Sequence, residues 1–244
     1  MSVVTSNNAA VPMDAGLPAE DLIDLVFRSD SEGVFLDERF AALVPAIRES
    51  CPKVRKIWML SGEAAEGTET VADLKAAGQG FDEPEPPAED DVSMIVYTSG
   101  TTGKSKGVML TQSNLYCNIE AVLYDEDPGL VFLSVLPVHH CFCLVMDWLN
   151  GFWMGSVLCI NDNLMHMIRN IGIFRPDVML MVPLMLETIY KRLKSLGTDV
   201  PPKALAQKVF GPRLNRIFTG GAHLDPYYID EFEKYGISIY EPTV

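Results

Sequence analysis

From residue 33 to residue 240 the chain alternates short β-rich runs with amphipathic helical segments, and this alternation limits the fold more than any other feature. The β-rich runs fall at 33–36, 54–60, 92–98, 107–110, 130–136, 156–160, 177–182, 214–219 and 237–240. Helical patterns occupy 18–28, 38–50, 68–77, 111–122, 164–174, 183–196 and 225–235. A further buried helix is expected between residues 141 and 155. Strands separated by helices of about 10–15 residues imply crossover connections. The expected fold class is α/β, with mainly parallel sheets and helices on both faces.

The alternation breaks once. Residues 78–91 hold Gly78, Gly80, Pro84, Pro86 and Pro87, with six acids between Asp82 and Asp91. Such a stretch reads as a solvated linker, or equally as a surface loop within one domain. The expected organisation is an N-terminal α/β segment over 1–77, the acidic stretch over 78–91, and a second α/β segment over 92–244. The acids matter for the whole chain, since 33 Asp and Glu against 19 Lys and Arg leave a net charge of −14. That field is wrong for nucleic acid or an anionic membrane. An apolar share of 48% is enough for a sizeable core.

Five cysteines at irregular spacing do not form a disulfide framework. Cys141 and Cys143 beside His139 and His140 raise zinc, but no second Cys/His pair at metal spacing follows, and small core residues are the simpler reading. The stretch 141–160 has the length of a membrane span. It contains Asp147, Asn150, Gly151, Gly155 and Ser156, and an Asp near the centre costs about 2.5–3.5 kcal/mol on insertion. It reads as core. The first ten residues lack a basic, apolar leader, so a cytoplasmic protein is expected.

The stretch richest in chemistry is Tyr97-Thr98-Ser99-Gly100-Thr101-Thr102-Gly103-Lys104-Ser105-Lys106-Gly107. Glycines let backbone N–H groups approach an anion, hydroxyls add neutral donors, and lysines add compact positive charge. Residues 92–119 hold no acid, so the two lysines form a positive island in an acidic protein, suited to a polyphosphate. Gly103-Lys104-Ser105 fits the end of a Walker phosphate loop, but its first glycine falls on Thr98. A Walker loop also opens directly into a helix, whereas Gly107-Val108-Met109-Leu110 reads as extended.

The whole string resembles the signature T-S-G-T-T-G-x-P-K-G-V of the adenylate-forming superfamily, with Ser105 at the usual Pro. Leu136-Pro137-Val138-His139-His140-Cys141-Phe142 resembles that family's P-x-x-H segment in its long-chain acyl-CoA synthetase form. Thr219-Gly220-Gly221-Ala222-His223-Leu224 resembles its G-G-A-P-L turn, with His223 at the Pro. Val11-Pro12-Met13-Asp14, Leu17 to Leu22, and Val182 to Leu193 extend the likeness over almost the whole chain. The resemblance implies part of the large N-terminal domain of the adenylate-forming fold. It implies activation of a carboxylic acid, in the first place a fatty acid, by ATP to acyl-AMP and then to the CoA thioester.

By the same resemblance, Thr98, Ser99, Gly100, Thr101, Thr102, Gly103 and Lys106 hold the β- and γ-phosphates, and Thr101 adds a ligand to Mg²⁺. His140, with Lys106 the expected catalytic pair, borders the carboxylate. Gly220, Gly221 and Ala222 lie against adenine. After Glu241 the family continues with G-Y-G-x-T-E, and here the chain reads Pro242-Thr243-Val244. The expectation is a truncated domain that does not complete adenylation alone, with a separate chain as the candidate source of the missing half. A P-loop NTPase and a non-catalytic interaction module stand as the alternatives.

Overall fold

The computed structural model describes residues 2–82, 84–98, 105–121, 129–196 and 200–241. The chain folds as two compact units, Met1–Ser113 and Asn114–Val244.

In the first unit the helix Ala19–Arg28 begins just after Pro18, whose fixed φ suits a helix entry. Its acids Glu20 and Asp21 stand at the positive end of the helix dipole and Arg28 at the negative end. Its apolar stripe buries Leu25 and Val26. Strands β1 (Gly33–Leu36), β2 (Lys56–Met59) and β3 (Glu69–Thr70) form a parallel sheet in that order. Val26, Val34, Val44, Ile47, Cys51, Val54 and Ile57 make its core. The segment expected as one helix at 38–50 is a 3-10 turn, Glu38–Leu43, followed by the helix Val44–Ser50. Pro45 sits in the first turn of that helix, where its missing N–H costs nothing. Strands β4 (Val92–Thr98) and β5 (Lys106–Thr111) pair antiparallel as a separate ribbon. Ala10 bridges to Met94 on the free side of β4. The helix Gln112–Ala121 follows β5.

The second unit holds β6 (Val131–Ser134), β7 (Val157–Ile160), β8 (Val178–Met181), β9 (Arg216–Thr219) and β10 (Ser238–Tyr240). They form one sheet, ordered β10-β9-β8-β6-β7, with every neighbour parallel. The period-2 rule of a strand divides their side chains cleanly. Leu133, Met179, Met181 and Ile217 face a core shared with the helices Met167–Phe174, Pro183–Ser195, Pro202–Phe210 and Pro226–Lys234. Phe132, Val178, Leu180 and Phe218 face the opposite layer, against Met146 from the helical run after β6. Both faces are thus covered, as continuous apolar runs such as Val178–Met181 require. The helix Pro202–Phe210 lies where no element is expected from the sequence pattern, although Pro at its first turn is a start signal.

Because all five strands run the same way, Ser134, Ile160, Met181, Thr219 and Tyr240 end at one edge of the sheet. The chain steps outward from β6 to β7, then crosses back to place β8 on the other side of β6. Such a reversal opens a crevice at the carboxyl ends of the strands, the usual ligand position in open α/β sheets.

Candidate functional site

The two units carry different parts of the expected site. In the first, Thr98 and Lys106 stand opposite each other at the end of the β4–β5 ribbon. Ser99, Gly100, Thr101, Thr102, Gly103 and Lys104 lie outside the described residues. The segment after Lys106 is a strand, as its sequence suggests, where a Walker loop would open into a helix. Gly107 packs tightly, since a Cβ there would lie 3.1 Å from Ile95 Cγ2 and 3.3 Å from Tyr97 Cε1.

The foot of this ribbon is fastened to the helix Ala19–Arg28. The Arg28 guanidinium donates to the Ser105 carbonyl and lies 5.5 Å above the Tyr97 ring. Asp24 orients it at 3.3 Å, and the Tyr97 hydroxyl reaches the Leu25 carbonyl at 3.5 Å. Arg28 therefore adds a cation at Ser105, next to Lys106 in the chain, that sequence reasoning missed. Its only signal in the sequence, an i,i+4 pair with Asp24, is that of an ordinary exposed helix face.

In the second unit His140 follows β6. It is exposed, its ring centroid lies 4.3 Å from that of His139, and its backbone caps the next helical run. His140 N donates to the Pro137 carbonyl at 3.1 Å, and Leu144 N donates to the His140 carbonyl at 3.0 Å. The turn after β9 carries Gly220, Gly221 and Ala222. Gly221 has φ +81°, which favours glycine, and nothing lies within 4 Å of where its Cβ would be. Gly221 and Ala222 are exposed, while Leu224 is buried and anchors the turn, its N–H donating to Glu241 Oε1 at 3.3 Å. Beneath the glycines Thr219 is fully buried, and its hydroxyl has no partner among the described residues.

The tertiary structure brings two of the sequence motifs together here. A Cβ on Gly220 would lie 3.2 Å from Cε2 and Cζ of Phe142, two residues beyond His140. Gly220→Val should force this ring aside and destabilise the protein by about 1–3 kcal/mol. Gly172→Ala, in a helix with open space at its Cβ, should stabilise by about 0.5–1 kcal/mol. Urea unfolding of the two variants checks the contrast, and an unchanged midpoint for Gly220→Val would mean that the two segments do not touch.

Under His140 lies a buried polar cluster. Cys143 Sγ is 3.1 Å from the Leu136 carbonyl, 3.5 Å from Ser134 Oγ and 3.7 Å from Asp147 Oδ2. Trp148 Nε1 donates to Ser134 Oγ at 3.3 Å. Burial and the Asp147 charge push the Cys143 thiol up to about 12, so it stays a thiol. Burial pushes Asp147 up to about 7, partly offset by the Ser134 hydroxyl and the Cys143 thiol. No group of three or more His, Cys, Asp or Glu among the described residues could hold a metal ion.

An open parallel sheet with a glycine turn beside a histidine segment at its carboxyl edge is the arrangement of a ligand-binding α/β fold. The chain is a member of the AMP-binding enzyme family, whose model matches residues 1–242. It is 25% identical over 248 residues to long-chain-fatty-acid–CoA ligase 5 of Rattus norvegicus, covering 90% of this chain and 35% of that protein. The chain thus spans about a third of the length of that curated relative. The N-terminal domain of FACL13 from Mycobacterium tuberculosis superposes with a TM-score of 0.72 at 23% identity, covering 97% of this chain and 56% of that one. ATP-bound MatB from Rhodopseudomonas palustris gives 0.74 at 21% identity, covering 96% and 44%. At these identities the structures show a shared fold, that of the N-terminal adenylate-forming domain.

Among the described residues no helix is long and apolar enough to cross a membrane. The stretch 141–160 instead forms the helical run Cys141–Trp153, a turn at Gly155 and β7.

Proposed function

We propose that the chain supplies the phosphate-holding and carboxylate-facing parts of an ATP-dependent acid–thiol ligase that acts on a fatty acid. The observation that carries this reading is the contact of Gly220 with Phe142. It gathers a histidine segment and a glycine turn, far apart in sequence, at the ligand edge of a parallel sheet. The ligase-family membership and the T-S-G-T-T-G string supply the reaction class.

In that reaction a carboxylate oxygen attacks the α-phosphorus of ATP. The bond to the β-phosphate oxygen breaks, and pyrophosphate leaves with the electron pair. The thiolate of CoA then attacks the acyl carbon and AMP departs. Negative charge grows on the pyrophosphate oxygens, so catalysis depends on fixed donors aimed at them. In this reading those donors are the backbone and hydroxyls of Thr98, Ser99, Gly100, Thr101, Thr102 and Gly103, together with the Lys106 ammonium. Arg28 steadies the ribbon at Ser105, beside Lys106 in the chain. His140 hydrogen-bonds the substrate carboxylate and turns it toward phosphorus. The bare backbone of Gly220, Gly221 and Ala222 receives the flat adenine. Mg²⁺ arriving with ATP would offset phosphate charge, with the Thr101 hydroxyl as its proposed protein ligand. The five free thiols suit a reducing cytoplasm.

The reading is tested by calorimetric titration of ATP and of a fatty acid, separately. Lys106→Met should weaken ATP by about tenfold, roughly 1.4 kcal/mol, and leave fatty-acid binding unchanged. His140→Ala should do the reverse. ATP binding equal in the wild type and Lys106→Met would overturn the assignment of the phosphate string.

A further inference from the structure

The helical run that begins at Cys141 is irregular. Its middle, Leu144–Leu149, is a π-helix set between α-helical turns Cys141–Cys143 and Asn150–Trp153. Such widened turns occur mostly as short insertions at functional sites. The buried Asn150 amide braces this one by donating to the Val145 carbonyl at 3.1 Å. The widened turn places Asp147 in the core, fully buried, below the segment 136–143 that carries His140.

The protons available around Asp147 fit its neutral form. Cys143 has one S–H, and its shortest contact is the Leu136 carbonyl at 3.1 Å. The thiol also has Asp147 Oδ2 within reach as an acceptor at 3.7 Å, but while its proton stays on the nearer Leu136 carbonyl the sulfur is left to accept from Ser134 Oγ and Asp147 Oδ2. Asp147 Oδ1 has no partner among the described residues. An ionised carboxylate would leave that oxygen charged, buried and unpaired, which is costly, whereas a neutral acid can donate its O–H to the sulfur. Among the described residues, the elements packed against this turn bring no compensating cation. The strands Val131–Ser134 and Val178–Met181 and the turn Asn150–Trp153 hold no titratable side chain, and the turn Cys141–Cys143 brings only its two thiols.

We propose that Asp147 is a positioning residue for His140. As a neutral acid it clasps Cys143, and through Cys143 the Leu136 carbonyl, so that the His140 segment is closed from below. Its ionisation opens the clasp. The role in catalysis rests on the reading that His140 faces the substrate carboxylate. The clasp itself does not, because its bonds lie within this unit. Burial places the ionisation of Asp147 at about 7, so the clasp works at the margin of neutrality.

The test follows the Trp148 indole N–H and the Leu144 amide by ¹⁵N–¹H NMR from pH 5 to pH 9 on the full chain. Trp148→Phe assigns the indole signal. Both signals should shift in the wild type with one midpoint near 7. In Asp147→Asn the Trp148 inflection should vanish. Ser134→Ala removes a hydroxyl that favours the carboxylate, so the Leu144 midpoint should move to higher pH. A flat Trp148 signal in the wild type, or an inflection that survives in Asp147→Asn, overturns the proposal. So does an unmoved midpoint in Ser134→Ala. Fatty-acid binding unchanged in His140→Ala, with the wild-type inflection intact, would sink the carboxylate reading and leave the clasp standing.

Discussion

Asp147→Asn should make the protein more stable, and the gain should grow with pH. The Asp147 carboxyl is held at about 7 in the folded protein against an ordinary 3.8, because burial disfavours its charge. Between these values the folded protein binds more protons than the unfolded chain, so stability falls as pH rises. The contribution of the neutral acid is whole below about 3.8 and gone above about 7. Asparagine never ionises, so the variant escapes this loss. Its advantage should grow by on the order of 3 kcal/mol between pH 5 and pH 8, at about 1.4 kcal/mol per pH unit up to 7, and then level off. Urea unfolding of both proteins at the two pH values measures it. A difference between the proteins that does not change with pH would refute the buried-acid account. A stabilising substitution at a buried acid also accords with a residue kept for something other than stability.

Phe132→Ala should cost about 3–5 kcal/mol, the range for removing a fully buried aromatic ring. Phe132 is fully buried in β6, in the layer formed with Val178, Leu180, Phe218 and Met146. The strand ends at Ser134, so the loss should also loosen the polar cluster beneath His140. Phe152, about half exposed on the same helical run as His140's neighbours, provides the control. Phe152→Ala should change stability by less than about 0.5–1 kcal/mol. Unfolding midpoints give the first effect, and near-ultraviolet circular dichroism of Trp148 gives the second. Equal losses for the two variants would contradict the assignment of Phe132 to the core.

Much of this protein is legible in its sequence, and the reasons are local. The alternation of β-rich and helical runs reflects side-chain periodicity, and the structure has strands within each expected run. The extended character of Lys106–Thr111 follows from Gly107-Val108-Met109-Leu110 and separates this string from a Walker loop. The glycine turn at Gly220-Gly221 is legible because a left-handed residue after a strand calls for glycine. The helix Pro202–Phe210 passes unseen because Pro201-Pro202 looks first like a breaker. Proline at the first helical turn carries the opposite meaning, and only the packing of Leu205, Ala206 and Phe210 decides between them.

Other features have no local trace. The place of β8 beside β6, which opens the crevice, depends on which strands bury each other's faces. Arg28 reaches Ser105 across many residues, and along the chain it is merely the partner of Asp24. Asp147 reads in sequence as a reason against a membrane span. In the fold it is a buried acid within a π-turn, in contact with Cys143. The sequence by itself determined the family, the strand and helix alternation, and which residue types could meet a polyphosphate and a carboxylate. Each of these depends on neighbours along the chain. Only the tertiary structure decided that Gly220 lies against Phe142, that Arg28 fastens the ribbon, and that Asp147 loses its water. Each of those arises where distant segments exclude solvent from one another, and no window of sequence contains both sides of such a contact.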